Sequence, residues 1–269
     1  MRNNFLACLV AALAVLLTPA CTSTQNNSSP DVADSANPAP PVPRTADGKP
    51  DLSGVWQPGS DRVGTWEEAN QGVGVPEPGL RPPVRQGDNP PYQPWAAKLV
   101  LAAWNRRYID NPVARCIPQL DLGAGALYPN QFVQTPDLIV ILIEARHVFR
   151  LIYMNEKHPD DLDPSYLGYS VGHWEGDTLV VDVRGFKERL VGSEISTDAL
   201  HVTERFTRAD YNTINYEATV EDPKALTGPY TITSKYMLRP GTRLQEWVCE
   251  NNQDPVLFEE LDKKGLITR

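Results

Sequence analysis

Tyr169-Ser170-Val171-Gly172-His173-Trp174-Glu175-Gly176-Asp177-Thr178-Leu179-Val180-Val181-Asp182-Val183 is the stretch on which the fold turns. Two runs rich in β-branched and aromatic side chains flank a glycine-containing break. That pattern reads as a hairpin, residues 169–174 against 178–183 across Glu175-Gly176. The same motif recurs on both sides. Residues 200–207 face 213–220 across Ala209-Asp210-Tyr211-Asn212, and residues 230–238 face 242–250 across Pro240-Gly241. Upstream, Leu138 to Ile143 is an apolar run too short for a helix, suited to a strand buried on both faces. Glu144-Ala145 turns it and residues 147–153 return; Phe132-Val133-Gln134 leads into it through Pro136-Asp137. Successive hairpins without helices between them make an antiparallel meander, whose open edges must close or split into two sheets. The expected fold is mainly β, a meander closing into a barrel, with a two-sheet sandwich as the alternative.

Helices flank the meander. Pro94 suits a first helical position, because its missing N–H would have no partner there. Trp95, Leu99 and Ala103 recur at helical spacing, with Val100 and Trp104 alongside, and Pro112 forbids continuation. Near the end, Asp254 is a cap, Pro255 follows it, Glu259 and Glu260 come early, Lys263 and Lys264 late, and Gly265 stops the turn. Leu257 and Leu261 share the face of this C-terminal helix expected to pack on the barrel.

The N-terminus carries an address. Arg2 precedes an apolar run from Phe5 to Leu17, and Thr18-Pro19-Ala20-Cys21 closes it, the layout of a secretory signal. The cysteine after small residues resembles the lipobox of bacterial lipoproteins, which implies acylation of Cys21 and an envelope or periplasmic location. Residues 22–49 are Ser, Thr, Asn, Pro and Ala with few large apolar groups, too little to offset the entropy of ordering. The expected organisation is a signal over 1–20, a disordered tether over 21–49 and one domain over 50–269.

Composition narrows the partners. The chain has 34 acidic and 25 basic residues, a net charge of −9. No basic footprint for nucleic acid is visible. There is no Gly-x-Ser-x-Gly, phosphate loop, dinucleotide fingerprint, Cys-x-x-Cys or His-Glu-x-x-His, so no cofactor is expected. The histidines are His147, His158, His173 and His201, and their spacing asks for no metal. With Cys8 in the signal and Cys21 at its end, Cys116 and Cys249 remain. In an oxidising compartment they are expected to pair. Closing so long a loop is worth about 4–5 kcal/mol in the chain-entropy model.

Candidate site residues are the polar groups on apolar strand faces, costly to bury unless paired or used. Arg150 interrupts Val148 to Ile152, and Glu204 shares a face with Leu200, Val202 and Phe206. They form either a structural pair inside the barrel or part of a ligand cavity. On the neighbouring hairpin, Tyr169 and His173 share a face. Asp182 is expected opposite Tyr169 and Thr178 opposite His173, a set capable of proton transfer if it does not simply face solvent. His201 falls on the opposite face from Glu204. The loop His158-Pro159-Asp160-Asp161-Leu162-Asp163-Pro164 reads as a solvated loop.

Gly54-Val55-Trp56 on an entering strand resembles the start of the lipocalin and calycin barrels. Residues 172–182, 200–206 and Glu221-Asp222-Pro223-Lys224 resemble a group of uncharacterised exported bacterial proteins, over roughly residues 50–254. That resemblance implies export and a lipocalin-like strand pattern and supplies no catalytic residues. The functional expectation is a tethered protein binding a small, partly apolar ligand. Trp56, Tyr216, Tyr230, Tyr236 and Trp247 would form the walls, and Arg150 and Glu204 would fix a polar group. The alternative is a cofactor-free lyase, isomerase or hydrolase on a sugar or aromatic compound. There His173 or Glu204 would be acid or base, with Arg150 or Tyr169 steadying negative charge.

Overall fold

Period-two burial governs the strands. In the computed structural model, β7 (His201–Arg208) buries every even residue and leaves the odd ones half-exposed, as one face turned to a core requires. The structure describes residues 40–65, 90–105, 116–120, 122, 128–145, 148–190, 195–247 and 263–265. Nine strands close in chain order into a barrel. They are β1 (Gly54–Pro58), β2 (Asn130–Gln134), β3 (Leu138–Ile143), β4 (Val148–Met154), β5 (Tyr169–Glu175), β6 (Thr178–Arg184), β7, β8 (Thr213–Glu221) and β9 (Tyr230–Leu238). One helix, α1 (Pro94–Asn105), lies between β1 and β2 in sequence. Among the described residues, no helix is long and apolar enough to cross a membrane.

An odd strand count has a geometric consequence. Around a closed ring of alternating strands, an odd number forces one neighbouring pair to run the same way. That pair is β4 and β5, joined in parallel through Ile152–Ser170, Tyr153–Val171 and Met154–Gly172. A parallel connection must travel back along the wall and needs about a dozen residues or more. Residues 155–168 make that crossover. The strands come close here: a Cβ on Gly172 would lie 2.8 Å from Ile152 Cγ2 and 2.9 Å from Met154 Sδ.

β9, the β5–β6 turn and α1 each depart from the expectation. β9 does not pair with residues 242–250. It pairs with β8 and with β1 (Trp56 opposite Leu238), because closing the ring requires the last strand to reach the first. Residues 242–247 form no strand; 248–250 lie outside the described residues. Second, the β5–β6 turn is Gly176-Asp177, with Gly176 at φ +60°, so Tyr169 opposes Arg184, and Asp182 opposes Val171. The shift keeps the same side chains on one face. Third, α1 buries Ala96 and Ala103 and leaves Trp95 and Leu99 exposed. Ala96 packs against Ile195 and Ala225, with Val100 beside them, and Trp95 Nε1 instead donates to the Lys224 carbonyl at 3.1 Å.

β3 is buried on alternate residues rather than on both faces. Folded structure also begins before residue 50. Arg44 bridges to Pro50 and ion-pairs with Asp177 at 2.6 Å. This places residues 44–49 of the expected tether against the β5–β6 turn. The expected C-terminal helix falls mostly outside the described residues, which there are 263–265.

Buried arginines fasten the ends of the wall. Arg208 stacks over the Trp56 ring at 5.0 Å and donates to the Asp51 carbonyl and, at 2.6 Å, to that of Tyr211. Arg239, 1% exposed, donates to Gln57 Oε1, the Arg62 carbonyl and Ser60 Oγ, each at 2.7 Å. Burial lowers its pKa to about 10.

Candidate functional site

Three places bring chemistry together, and the first is inside the barrel. Arg150 on β4 and Glu204 on β7 form a bidentate pair: Nη1 donates to Oε1 at 3.0 Å and Nη2 to Oε2. Arg150 Nε donates to Ser170 Oγ at 3.0 Å, and the Tyr216 hydroxyl donates to Glu204 Oε1 at 2.9 Å. Strand alternation sends all four side chains inward. Burial alone would lower the Arg150 pKa, but the charge and hydrogen bonds of Glu204 outweigh it and raise it. Burial, then the Glu204 charge, pushes the Tyr216 phenol well above its ordinary value. In the same core Phe132, Phe206, Tyr216 and Tyr236 form a cluster of neighbouring rings, with centroid separations from 4.9 Å for Phe206–Tyr216 to 6.0 Å for Phe132–Tyr236. Trp56 is wholly buried in the same core, and Tyr230 packs partly buried against it. Trp247 lies outside the strands and meets the Tyr128 ring edge-on at 6.2 Å. Of the expected wall residues, Trp56, Tyr216 and Tyr236 therefore fill the centre.

The second place is the outer face. Tyr169, His173, Thr178 and Asp182 do share it, but they do not converge. His173 is half-exposed and lies 3.3 Å from Glu175, which Arg205 also pairs at 2.8 Å. Thr178 bonds Thr207 at 2.8 Å. Asp182 instead meets two other histidines: His158 Nε2 lies 2.6 Å from Oδ1 and His201 Nε2 2.5 Å from Oδ2. Arg184 Nε donates to Oδ1 at 2.9 Å, and His201 Nδ1 lies 3.1 Å from Glu221 Oε2. Partial burial alone would raise the Asp182 carboxyl. Hydrogen bonding and charge from His201, with bonds from His158 and Arg184, outweigh it and hold the group below the usual carboxylate range. The His158 ring also meets the Tyr169 ring at 5.9 Å, and burial followed by the nearby Glu156 raises the Tyr169 phenol.

His201 lies on the outer face as its alternation requires. His158 was not legible as a site residue, because only the crossover brings it over β5. Among the described residues, no three His, Cys, Asp or Glu side chains are placed to hold a metal ion.

The third place is a cavity of about 410 Å³ on the outside of the β4–β5 seam. Below Met154–Gly172 the two strands part, and the crossover forms one rim. Phe149, Leu151, Tyr153 and Tyr169 wall it, Arg150 and Ser170 reach its floor, and Lys187 stands at its edge. Tyr153 and Tyr169 are stacked at 5.0 Å and 13°. Phe149 is 61% exposed, an unusual price for a large ring on a strand. A second, polar trough of about 890 Å³ runs along the outer face of β7–β9, under residues 59–62, the segment that Arg239 holds.

Sequence alternation missed two further buried hubs. Asp222 accepts from Thr197 N and Oγ1, both at 2.7 Å, and from Ala225 N at 3.1 Å, tying the β6–β7 connection to the β8–β9 turn. The other is Arg239. Neither spacing nor flanking residues mark either of them. No family model, curated protein or solved structure matches the chain.

Proposed function

We propose that the chain is an exported, lipid-anchored binding protein for a small, partly apolar ligand, and that the ligand occupies the seam cavity rather than the barrel centre. The observation that carries this reading is the contrast between a centre filled by a cluster of four aromatic rings and an open, aromatic-walled cavity on the β4–β5 seam. Its volume suits a small molecule, since such sites run from about 300 to 1,000 Å³. Native mass spectrometry of protein purified from an envelope fraction tests it. A co-purified molecule should be retained by the parent protein and lost from Phe149→Ala and Tyr153→Ala. Retention in both variants would remove the seam from consideration.

The lipocalin-like kinship belongs to the same proposal. It rests on Gly54-Val55-Trp56 entering the barrel and on the meander order; lipocalin barrels have eight strands, one fewer than this wall. The address rests on residues 1–21, and mass analysis of the mature N-terminus for acylated Cys21 tests it. The Cys116–Cys249 bridge rests on the cysteine count. Cys116 is half-buried at φ +57°, and Cys249 lies outside the described residues. Two titratable thiols in denaturant would exclude the bridge.

A second reading, acid–base catalysis, is favoured by one observation: two imidazoles share the Asp182 carboxylate beside Tyr169. Under it His158 or His201 moves the proton in place of His173. Turnover surviving Asp182→Asn would dismiss it.

A further inference from the structure

We propose that the seam cavity takes a flat aromatic anion, with its ring against Phe149 and the Tyr153–Tyr169 pair and its anionic group on Lys187. The inference rests on the binding reading above and names the chemical class that the cavity selects.

Arg150 reaches the floor, but all three of its guanidinium nitrogens are occupied, two by Glu204 and one by Ser170. The buried pair is thus neutral as a unit and presents no net charge to a ligand. No acidic side chain lines the cavity. Lys187 is the remaining cation on its lining, and it is exposed and forms no ion pair among the described residues. Its ammonium sits 5.3 Å from the centre of the Tyr166 ring, and that ring face attracts the cation. Its backbone is fixed as well: Lys187 N donates to the Ser165 carbonyl at 2.7 Å, and Phe186 bridges to Ser165. The crossover therefore holds the backbone of Lys187 at the cavity edge, with its ammonium beside the Tyr166 ring.

On a chain of net charge −9, long-range attraction does not bring anions in. The selection has to be local. An uncompensated ammonium beside stacked aromatic walls favours a planar body with one negative group, and it disfavours cations of the same shape.

Fluorescence titration of the folded exported protein with 2-naphthoate, 2-naphthalenemethanol and 2-naphthylmethylammonium tests this. The three probes share a ring and differ in charge. The expected order is anion, then alcohol, then cation. Naphthoate should exceed the alcohol by about fivefold, the upper range for an ion pair in contact with water. That preference should fade in 1 M salt, where the screening length is about 3 Å. Lys187→Gln should lower naphthoate affinity far more than alcohol affinity, and Lys187→Glu should reverse the order of anion and cation. Lys187 is exposed, and unchanged circular dichroism would verify folding of both variants. Equal binding of naphthoate and alcohol by the parent protein, or a preference surviving Lys187→Gln, overturns the inference while leaving the cavity as a binding site. Binding of none of the three, or binding unaffected by Phe149→Ala, overturns the site and the inference together.

Discussion

The barrel carries two charged clusters of similar make-up on opposite sides of one wall. Inside, Arg150, Glu204, Tyr216 and Ser170 satisfy one another out of contact with water. Outside, Asp182 gathers His158, His201 and Arg184, and its side chain stays 25% exposed. The hydrogen-bond counts are alike, but the energetic stakes differ. A charge stripped of water must be paired, whereas water stands ready to replace any partner lost at the surface.

The sharpest way to break this contrast is Glu204→Leu. It strands a guanidinium in the core and should cost about 3–5 kcal/mol in chemical denaturation. Adding Arg150→Met should recover most of that loss, because an apolar pair of similar volume removes the desolvation cost of both charges. A double variant no better than the single would show that the pair does more than satisfy itself. Next in size, Tyr216→Phe removes a hydrogen bond to the buried carboxylate, and about 1.5–3 kcal/mol should go with it.

On the outer side, Asp182→Asn should cost less than about 1 kcal/mol near neutral pH. The sign of its pH dependence follows from the direction of the shift. The folded state holds this carboxyl below its ordinary value, so its contribution is present above the unfolded value, about 3.9. It is lost as pH falls through the folded value. Paired denaturation curves should thus differ at about pH 5 and converge as pH falls below about 4. A gap undiminished at about pH 2 would contradict the assignment. The smallest effect belongs to His173→Ala, which should leave stability unchanged within about 0.5 kcal/mol, since that ring is exposed.

Much of the inner cluster was legible because strand alternation is strict. Leu200, Val202, Glu204 and Phe206 share a face by parity alone, and continuing the count puts Arg208 inward as well. Arg150 stood out in the same way among Val148 and Ile152. Those arguments need only neighbours in sequence. The outer cluster was half-legible: parity put His201 on the face opposite Glu204 and Asp182 on one face with Tyr169 without deciding which way that face turns, and His158 reaches Asp182 through a crossover that exists only because nine strands close. The pairing of β9 with β1 is equally non-local, and no turn signal announces it. For α1, side-chain size misled. Trp95 and Leu99 are the larger residues, but the helix face that packs against Ile195 and Ala225 carries Ala96 and Val100, so the large groups stay outside.

The β4–β5 ladder has three paired residues where β7–β8 has eight. Arg150 reaches from one side of that short ladder to Ser170 on the other, and on to Glu204 across the lumen. It works as a rivet driven from within. Spontaneous unzipping of the cylinder should start beside it, where backbone amides of residues 152–154 and 170–172 would trade hydrogen for deuterium ahead of the long antiparallel ribbons. Loosening the rivet would let solvent into the centre through the seam cavity.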